Sequence, residues 1–237
     1  MMNIALIIAG GSGQRMHSEI PKQFININDK PVIVYTMEAF QKHPDIDAIC
    51  VVCIEGWHDI LKAYARQYNI SKLQWVIAGG ENGQGSIRNG VYKLEETFAP
   101  DDIVLVHDAI RPMVSQDIIS DCIVKARKYG SAISCVPCTT AVLGLENAGE
   151  TSSGKVVDRS LLGMTQTPQG FRLKTLGDAH REALEKGITN SVASCTLMVE
   201  LGKTVHFSLG SETNVKLTTP ADLKIFKALL AIEENRL

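Results

Sequence analysis

The sequence lacks an apolar run near the ~20 residues that a helix needs to cross a bilayer. Its first apolar run stops at Gly10 and has no basic leader before it. We therefore expect no membrane span, no signal peptide and a cytosolic protein. A basic excess is also missing, because the formal net charge is −2. Nucleic acids and membrane surfaces are therefore not expected partners, and any anion binding must come from a local cluster of cations.

A metal-binding set of cysteines is missing as well. Two pairs have the CxxC spacing, Cys50–Cys53 and Cys135–Cys138, and both lie in apolar, β-branched runs typical of strands. Residues i and i+3 of a strand point to opposite faces of the sheet, so neither pair can hold one zinc ion. We expect all six cysteines to be reduced thiols, and those in the pairs to be small core side chains.

Apolar runs and helical patterns alternate along the chain, with no internal repeat or low-complexity segment. The predicted strands cover residues 4–9, 49–54, 73–78, 102–108, 131–138 and 204–209. The predicted helices cover residues 31–40, 58–68, 87–97, 117–128, 172–186 and 191–200, and a last one starts at Pro220 with Thr219 as its N-cap. This pattern predicts one α/β domain over residues 1–237, with a Rossmann-like, mostly parallel sheet covered by helices on both faces.

The stretch Thr139–Val156 interrupts the alternation. It reads "TTAVLGLENAGETSSGKV" and is rich in glycine, serine, threonine and charge. It is too short to form a domain of its own. We expect either a surface hairpin or an arm that reaches another subunit.

A glycine-rich loop, "AGGSGQRM", follows the first predicted strand. It does not fit the dinucleotide fingerprint GxGxxG, because Met16 stands where the third glycine belongs. The phosphate loop GxxxxGK[ST] fails at Gly80, because Ser86 replaces the lysine. Two interpretations remain: a tight turn with solvent-facing cations, or a loop whose backbone amides bind a triphosphate together with Arg15 and Lys22.

Four motifs follow one another along the chain: the glycine-rich loop continued by "PKQF", then "VHDAIRP", "DRS…QTPQGF" and "NVKLTTPADL". Together they resemble the nucleotidyltransferases that activate sugars and sugar alcohols. The branch is that of the 2-C-methyl-D-erythritol 4-phosphate cytidylyltransferases and the ribitol-5-phosphate cytidylyltransferases, and the resemblance covers nearly the whole chain. It implies an Mg²⁺-dependent homodimeric enzyme that converts CTP and a polyol phosphate into a CDP-polyol and pyrophosphate.

The resemblance also implies roles for individual residues. The catalytic positions would be Arg15, Lys22, Arg159 and Lys216, with Lys216 at the α-phosphate. The nucleotide-binding positions would be Ala9, Gly10, Gly11, Gly13, Gly79, Gly80 and Ser86. The substrate-binding positions would be Asp108, Arg111, Thr140, Arg159 and Thr167, and Asp108 would also bind Mg²⁺. Thr140 and Arg159 would act from the neighbouring subunit, so that residues 139–156 would form a dimerisation arm.

The chemistry of this reaction agrees with the residue types. A phosphate monoester is largely dianionic at pH 7, so the nucleophile needs no general base. Cations and a metal ion meet the main requirement, which is to neutralise reacting anions. The lack of a convincing Ser-His-Asp or Cys-His set is therefore expected.

Simpler interpretations stay open for several of these residues. Asp108 could cap the following helix, Arg159 could form a surface ion pair, and Lys216 could be a solvated strand lysine. His107 is expected to be a buried ring with a satisfied hydrogen bond rather than a catalytic group.

Two departures from the erythritol pattern concern the substrate. Gly83 stands where that pattern, GGxxRxxS, has an arginine, and Ser191 and Val192 in "TNSVASC" stand where it has acids. Because the hydroxyls of a polyol need acceptors, this loss favours ribitol 5-phosphate over 2-C-methyl-D-erythritol 4-phosphate, which stays the alternative. A non-catalytic nucleotide-binding relative and an enzyme for another base are the remaining hypotheses.

Overall fold

The computed structural model describes residues 1–11 and 20–234. Its strands are β1 Asn3–Ala9, β2 Asn26–Ile27, β3 Lys30–Pro31, β4 Ala48–Cys53, β5 Leu73–Ala78, β6 Ile103–Asp108, β7 Ser131–Pro137, β8 Val142–Gly144, β9 Lys155–Val157, β10 Gly163–Arg172 and β11 Phe207–Leu209. Its helices are α1 Val32–Lys42, α2 His58–Gln67, α3 Gly83–Glu95, α4 Gln116–Tyr129, α5 Leu173–Glu185, α6 Ser194–Glu200 and α7 Pro220–Glu234.

Seven strands form one sheet in the order β11-β7-β10-β6-β1-β4-β5. Its pairs are parallel except for those of β10, which runs antiparallel to both β6 and β7. The predicted mostly parallel α/β sheet is therefore confirmed. Strand β10 was missed because "GMTQTPQGFR" is not an apolar run and its register shifts between Thr165 and Gln169. The Thr167–Pro168 peptide bond within that shift is cis.

Helices cover both faces of the sheet. Helices α1, α2 and α4 pack on one face through residues such as Met37, Leu61 and Ile119. Helices α3, α5 and α6 pack on the other through residues such as Val91, Leu176 and Leu197. In the described part of the chain, no helix combines the length and the apolar character that crossing a membrane requires.

The first cysteine pair behaves as strand geometry predicts, whereas Cys135 and Cys138 are half-buried and are not the core side chains that the sequence predicted. Cys53 belongs to the first of these cores and Cys50 to the second, so their thiols point to opposite faces. Burial raises the pKa of both thiols to about 12, which keeps them protonated and unreactive. All six cysteines are free thiols. Strand β7 ends at Pro137, so the predicted strand was one residue too long at Cys138.

Helix starts show where capping decides a boundary. Helix α3 begins at Gly83 rather than at residue 87, because the Asn82 side chain accepts a hydrogen bond from the Gly85 amide, 2.9 Å away. Helix α6 begins at Ser194 rather than at residue 191. The predicted cap of α7 is confirmed: the Thr219 amide donates to Asp222 Oδ2 over 2.7 Å, and the Asp222 amide donates to Thr219 Oγ1 over 3.3 Å.

The stretch that interrupts the alternation contains a hairpin. Strands β8 and β9 pair antiparallel, with Val142 opposite Val157 and Leu143 opposite Val156. The hairpin and the turn that follows expose several large apolar side chains, namely Leu143, Leu145, Val156 and Leu161. Its role as an arm between subunits stays a prediction at this point.

Helix α5 carries a buried histidine whose ring makes no hydrogen bond to the described residues. His180 of α5 is 1 % exposed, and neither ring nitrogen has a hydrogen-bond partner among the described residues. Burial, helped by the charge of Arg88, lowers the pKa of His180 from 6.5 to about 4. Between these two pH values the unfolded chain binds a proton that the folded chain does not. The free energy of unfolding must therefore fall as the pH drops through this window.

We expect the variant His180→Leu to lose this part of the pH dependence. At pH 5 the wild-type histidine costs about 2 kcal/mol of stability relative to pH 7.5, for the linkage reason above. Urea unfolding of both proteins at the two pH values measures the difference. Parallel changes in wild type and variant between pH 7.5 and pH 5 would show that His180 is not the titrating group.

Candidate active site

A cavity of about 260 Å³ opens where β1 and β6 end, at the carboxyl edge of the sheet. Residues from several elements line it: Ile8, Gly83, Ile87, Val106, His107, Asp108, Arg111, Thr165, Gln166, Thr167, Gln169, Val192, Ala193, Ser194 and Lys216. Four predicted site residues, Asp108, Arg111, Thr167 and Lys216, thus meet in one place although they span 108 positions.

A charge cluster dominates this cavity. Asp108 Oδ2 lies 3.0 Å from Arg111 Nε, and Asp108 Oδ1 lies 3.1 Å from Lys216 Nζ. Burial tends to raise the pKa of the Asp108 carboxyl, but the charges of Lys216 and Arg111 outweigh it and hold that pKa below its ordinary value. One carboxylate facing two cations leaves a net positive charge, which suits phosphate groups.

Asp108 is not the cap of the helix that follows, and this alternative is excluded. Helix α4 is capped by Ser115, whose side chain accepts from the Ile118 amide over 3.3 Å. Lys216 is 42 % exposed but ion-paired, so a purely solvated lysine is excluded as well.

His107 and Thr167 hold Asp108 in place from behind. His107 Nε2 lies 3.1 Å from the Arg111 carbonyl oxygen, which can only accept, so Nε2 carries the proton. The Thr167 hydroxyl, 3.1 Å from His107 Nδ1, donates to that nitrogen and accepts from the Asp108 amide. Burial lowers the pKa of His107 to about 4, in agreement with a neutral ring. The prediction that His107 is a buried ring with satisfied hydrogen bonds is confirmed.

Two amide side chains that the sequence did not single out, the buried Asn214 and the half-buried Gln166, fix the segment that leads to Lys216. Asn214 is fully buried, and its Nδ2 donates to the Thr167 carbonyl over 2.8 Å and to Gln166 Oε1 over 3.3 Å. The backbone carbonyl of Asn214 accepts from Arg111 Nη1 over 2.7 Å. Gln166 Nε2 in turn donates to the Ser211 carbonyl over 2.8 Å. Asn214 and Gln166 both lie inside the quoted motifs, but only the fold shows that their side-chain amides connect one motif to the other.

The glycines of two loops come together at Ser86. A Cβ on Gly10 would lie 3.1 Å from Ser86 Oγ, and one on Gly80 would lie 2.5 Å from the backbone of Gly85. Ser86 is 4 % exposed, and its Oγ accepts from the Gly80 amide over 3.0 Å. The ends of β1 and β5, with Gly79 between them and α3, thus form a tight backbone corner. This is the place that the motifs predict for the nucleotide.

Gln23 fixes the start of the glycine-rich loop. It is 1 % exposed, and its Nε2 donates to the Ala9 carbonyl over 2.7 Å and to the Gly11 carbonyl over 3.1 Å. Lys22 precedes it and is half-buried at the start of a short 3₁₀ turn. The predicted roles of Arg15 and Gly13 lie outside the described residues. Gln23 belongs to "PKQF", but its partner carbonyls could not be identified from spacing.

Thr140 and Arg159 lie elsewhere in the same chain. Arg159 opens a short 3₁₀ turn at the base of the hairpin, and its Nη1 donates to the Thr139 carbonyl. Neither Thr140 nor Arg159 lines the cavity. Within one chain the structure does not bring them to Asp108, and their predicted role stays a prediction.

Comparison with known proteins decides the family. The family model "IspD: 2-C-methyl-D-erythritol 4-phosphate cytidylyltransferase" matches residues 3–232. The chain belongs to the IspD family. It is a nucleotidyltransferase of the cytidylyltransferase class, as the resemblance implied.

Relatives within this family carry two names. A ribitol-5-phosphate cytidylyltransferase from Lacticaseibacillus paracasei is 44 % identical over 98 % of this chain and 100 % of its own length. A 2-C-methyl-D-erythritol 4-phosphate cytidylyltransferase from Syntrophus aciditrophicus is 35 % identical over 99 % of this chain and 98 % of its own length. The crystal structure of the Francisella tularensis 2-C-methyl-D-erythritol 4-phosphate cytidylyltransferase matches with a TM-score of 0.80 and 25 % identity, covering 96 % of this chain and 99 % of that one.

We expect Asn214→Leu to reduce kcat/KM about 10- to 100-fold, because misplaced cations lose much of their effect on the reacting phosphates. Pyrophosphate release per folded molecule measures this. The control is Asn3→Leu, since Asn3 is also buried and donates from Nδ2 to the Asp45 carbonyl over 2.6 Å, but at the other edge of the sheet. Equal activity losses in both variants would mean that the effect is one of stability alone.

Proposed function

We propose that the protein is a CTP-dependent ribitol-5-phosphate cytidylyltransferase that forms CDP-ribitol and pyrophosphate. The main support is the cluster of Asp108, Arg111 and Lys216, which gives the cavity a net positive charge beside a glycine corner. Two relatives with the ribitol name are 44 % identical and three others 37–38 %, against 35 % for two relatives with the erythritol name and 39 % for a bifunctional IspD/IspF enzyme. We also propose that the enzyme works in the cytosol.

Features of the cavity wall support ribitol 5-phosphate. A Cβ on Gly83 would have nothing within 4 Å, so the site has open space where the erythritol pattern places an arginine. Val192 also lines the cavity and offers no acceptor. Asp108 is the one carboxylate among the described lining residues. The groups that recognise the polyol in this cavity must therefore differ from those of the erythritol pattern, which favours a linear polyol such as ribitol over methylerythritol. The erythritol substrate stays the second candidate, because the matching family model carries that name.

The proposed reaction is an attack by a phosphate oxygen of the polyol phosphate on the α-phosphorus of CTP. The new P–O bond forms as the bond between the α-phosphorus and the bridging oxygen breaks, and pyrophosphate leaves. Lys216 is proposed to bind the α-phosphate and Arg111 the polyol phosphate, with Arg15 and Lys22 on the triphosphate. Neutral His107 is bonded on both nitrogens, in agreement with a reaction that needs no general base.

Asp108 is the residue proposed to hold Mg²⁺. No group of three or more His, Cys, Asp or Glu side chains is arranged for a metal within residues 1–11 and 20–234. A single carboxylate nevertheless fits Mg²⁺, which is usually bound through one or two carboxylates together with substrate phosphates. The cations that now pair with Asp108 would then bind those phosphates instead. Bound Mg²⁺ would neutralise charge on the triphosphate.

A homodimer is also part of the proposal. Val156 and Leu161 of the hairpin and its following turn are 80 % and 82 % exposed, and a cluster of exposed apolar side chains is typical of an interface. Since Thr140 and Arg159 do not reach the cavity of their own chain, they are proposed to complete the partner's site.

A substrate panel tests the proposal. The purified protein is given Mg²⁺, CTP and either ribitol 5-phosphate or 2-C-methyl-D-erythritol 4-phosphate, and pyrophosphate release is followed. We expect the higher kcat/KM with ribitol 5-phosphate. If neither polyol phosphate supports turnover above background the proposal fails, and CTP binding without turnover would instead indicate a non-catalytic relative. Replacing CTP by UTP, ATP or GTP tests the base.

We expect Lys216→Gln to lower kcat about 100-fold or more, because it removes a cation from the group in transfer. The control is Lys174→Gln, since Lys174 also pairs with a carboxylate, Asp178, over 2.8 Å, but on the outside of α5. Steady-state pyrophosphate release measures both variants. A folded Lys216→Gln enzyme that keeps more than about a tenth of the wild-type kcat would rule out this role for Lys216.

A further inference from the structure

The segment Ser191–Cys195, here called the wall, lines the cavity through Val192, Ala193 and Ser194. The same cavity holds Asp108, Arg111 and Thr167, positions predicted for the polyol phosphate, whereas none of Gly10, Gly79, Gly80 and Ser86, the tight backbone corner, lines it. The wall therefore faces the acceptor end of the site rather than the nucleotide end.

We propose that two buried glutamines, Gln84 and Gln169, are positioning residues that hold the wall and thereby set which polyol phosphate is accepted. This inference rests on the proposed function. Nothing in the family motifs assigns such a role to either side chain. Both are carried by elements other than the wall: Gln84 by α3 and Gln169 by β10.

Gln84 holds the start of the wall. It is 3 % exposed, its Oε1 accepts from the Ser191 amide over 2.7 Å, and its Nε2 donates to the Ile188 carbonyl over 2.7 Å. Both ends of the side-chain amide are thus bonded to the backbone of one loop. A buried amide bonded in this way is costly to remove, because the backbone groups it served lose their partners.

Gln169 holds the end of the wall. It is 2 % exposed, and its Oε1 accepts from the Cys195 amide over 2.9 Å. Its Nε2 lies 3.2 Å from the Gln166 carbonyl and 3.3 Å from Cys195 Sγ. Gln169 follows Thr167 by two residues, so the wall is tied to the strand that positions Asp108.

Few other hydrogen bonds hold the wall from behind. Two buried side chains there, Ser194 through Oγ and His180 through both ring nitrogens, have no hydrogen-bond partner in the part of the chain that is described. The Ala193 amide donates to Thr196, which belongs to the helix that continues the wall, and the Ser191 hydroxyl donates to Glu200 of that helix. Asn82 adds one exposed bond, to the Thr189 carbonyl over 3.0 Å. Cys195 and Ala193 also pack against the apolar core on this face of the sheet. Among the hydrogen bonds, those of the two glutamines tie the wall to α3 and β10 and so fix its position against the cavity.

Gln84→Met and Gln169→Met test the inference, because methionine keeps the length of the side chain and removes its hydrogen bonds. Gln41→Met is the matched control. Gln41 Oε1 accepts from the Lys72 amide over 2.9 Å and its Nε2 donates to Ser71 Oγ over 3.0 Å, at the amino edge of the sheet. For each protein, kcat and KM are measured separately for CTP, ribitol 5-phosphate and 2-C-methyl-D-erythritol 4-phosphate.

In both wall variants we expect the KM of the preferred polyol phosphate to rise about tenfold and the preference between the two polyol phosphates to shrink about fivefold or more. The KM of CTP should stay within about twofold, and the control should match wild type in all three substrates. Equal changes in the KM of CTP and of the polyol phosphate, or no change in either, would overturn the inference. If wild type itself turns over neither polyol phosphate, the proposed function fails instead.

Hydrogen exchange gives a second readout that does not need turnover. The Ser191 and Cys195 amides should exchange faster in the variant that lacks their glutamine, while the amides of β1 and β6 keep their protection. Unchanged exchange at Ser191 in Gln84→Met and at Cys195 in Gln169→Met would show that the glutamines do not hold the wall.

Discussion

The ion pairs that Asp108 makes with Arg111 and Lys216 tie the site together. They join the end of β6, the turn after it and the segment of Lys216, which lies 108 positions further along the chain than Asp108. Like charges this close repel, so the two cations can share the site only because the carboxylate lies between them. In the proposed reaction, substrate phosphates would replace the carboxylate as partners of the two cations, and Asp108 would then be free to bind Mg²⁺.

Hydrogen bonds from side-chain amides hold the loops at the carboxyl edge of the sheet. A loop near a buried site has backbone groups without helix or sheet partners, and these must be satisfied in another way. Gln23 serves two carbonyls of the first loop, Asn214 joins β10 to the segment of Lys216, and Gln84 and Gln169 serve the 191–195 wall. Each amide can donate and accept at once, which carboxylates and cations cannot do at neutral pH.

The secondary-structure elements that leave a local hydrophobic or capping pattern could be predicted from the sequence. The long apolar strands, the cap of α7 and the mostly parallel sheet were predicted correctly, because burial on both faces leaves a simple signature. The strand order was not predicted, and α3 and α6 begin at other residues than expected. Strand β10 was missed because it is antiparallel, polar and shifted in register at Thr167. The cluster of Asp108, Arg111, Thr167 and Lys216 was predicted from motifs, and its hydrogen-bond network was not, since long-range partners leave no trace in spacing. The position of Thr140 and Arg159 relative to the cavity could not be predicted from spacing either, because it is set by tertiary structure and by any partner subunit.

The two ends of the site differ in how freely they can change. At the end proposed to bind the nucleotide, a Cβ at Gly80 would overlap the α3 backbone at 2.5 Å, so Gly80 tolerates almost no substitution. A Cβ at Gly10 or Gly79 would be tight against Ser86, at 3.1 and 3.3 Å from its Oγ. At the end proposed to bind the acceptor, space is open at Gly83, and the wall is held by hydrogen bonds from Gln84 and Gln169. Side chains that point from the wall into the cavity can therefore change without disturbing the corner for the nucleotide. A fold built in this way can keep one nucleotide and one reaction while the acceptor varies, which is consistent with a family whose members carry two different polyol names.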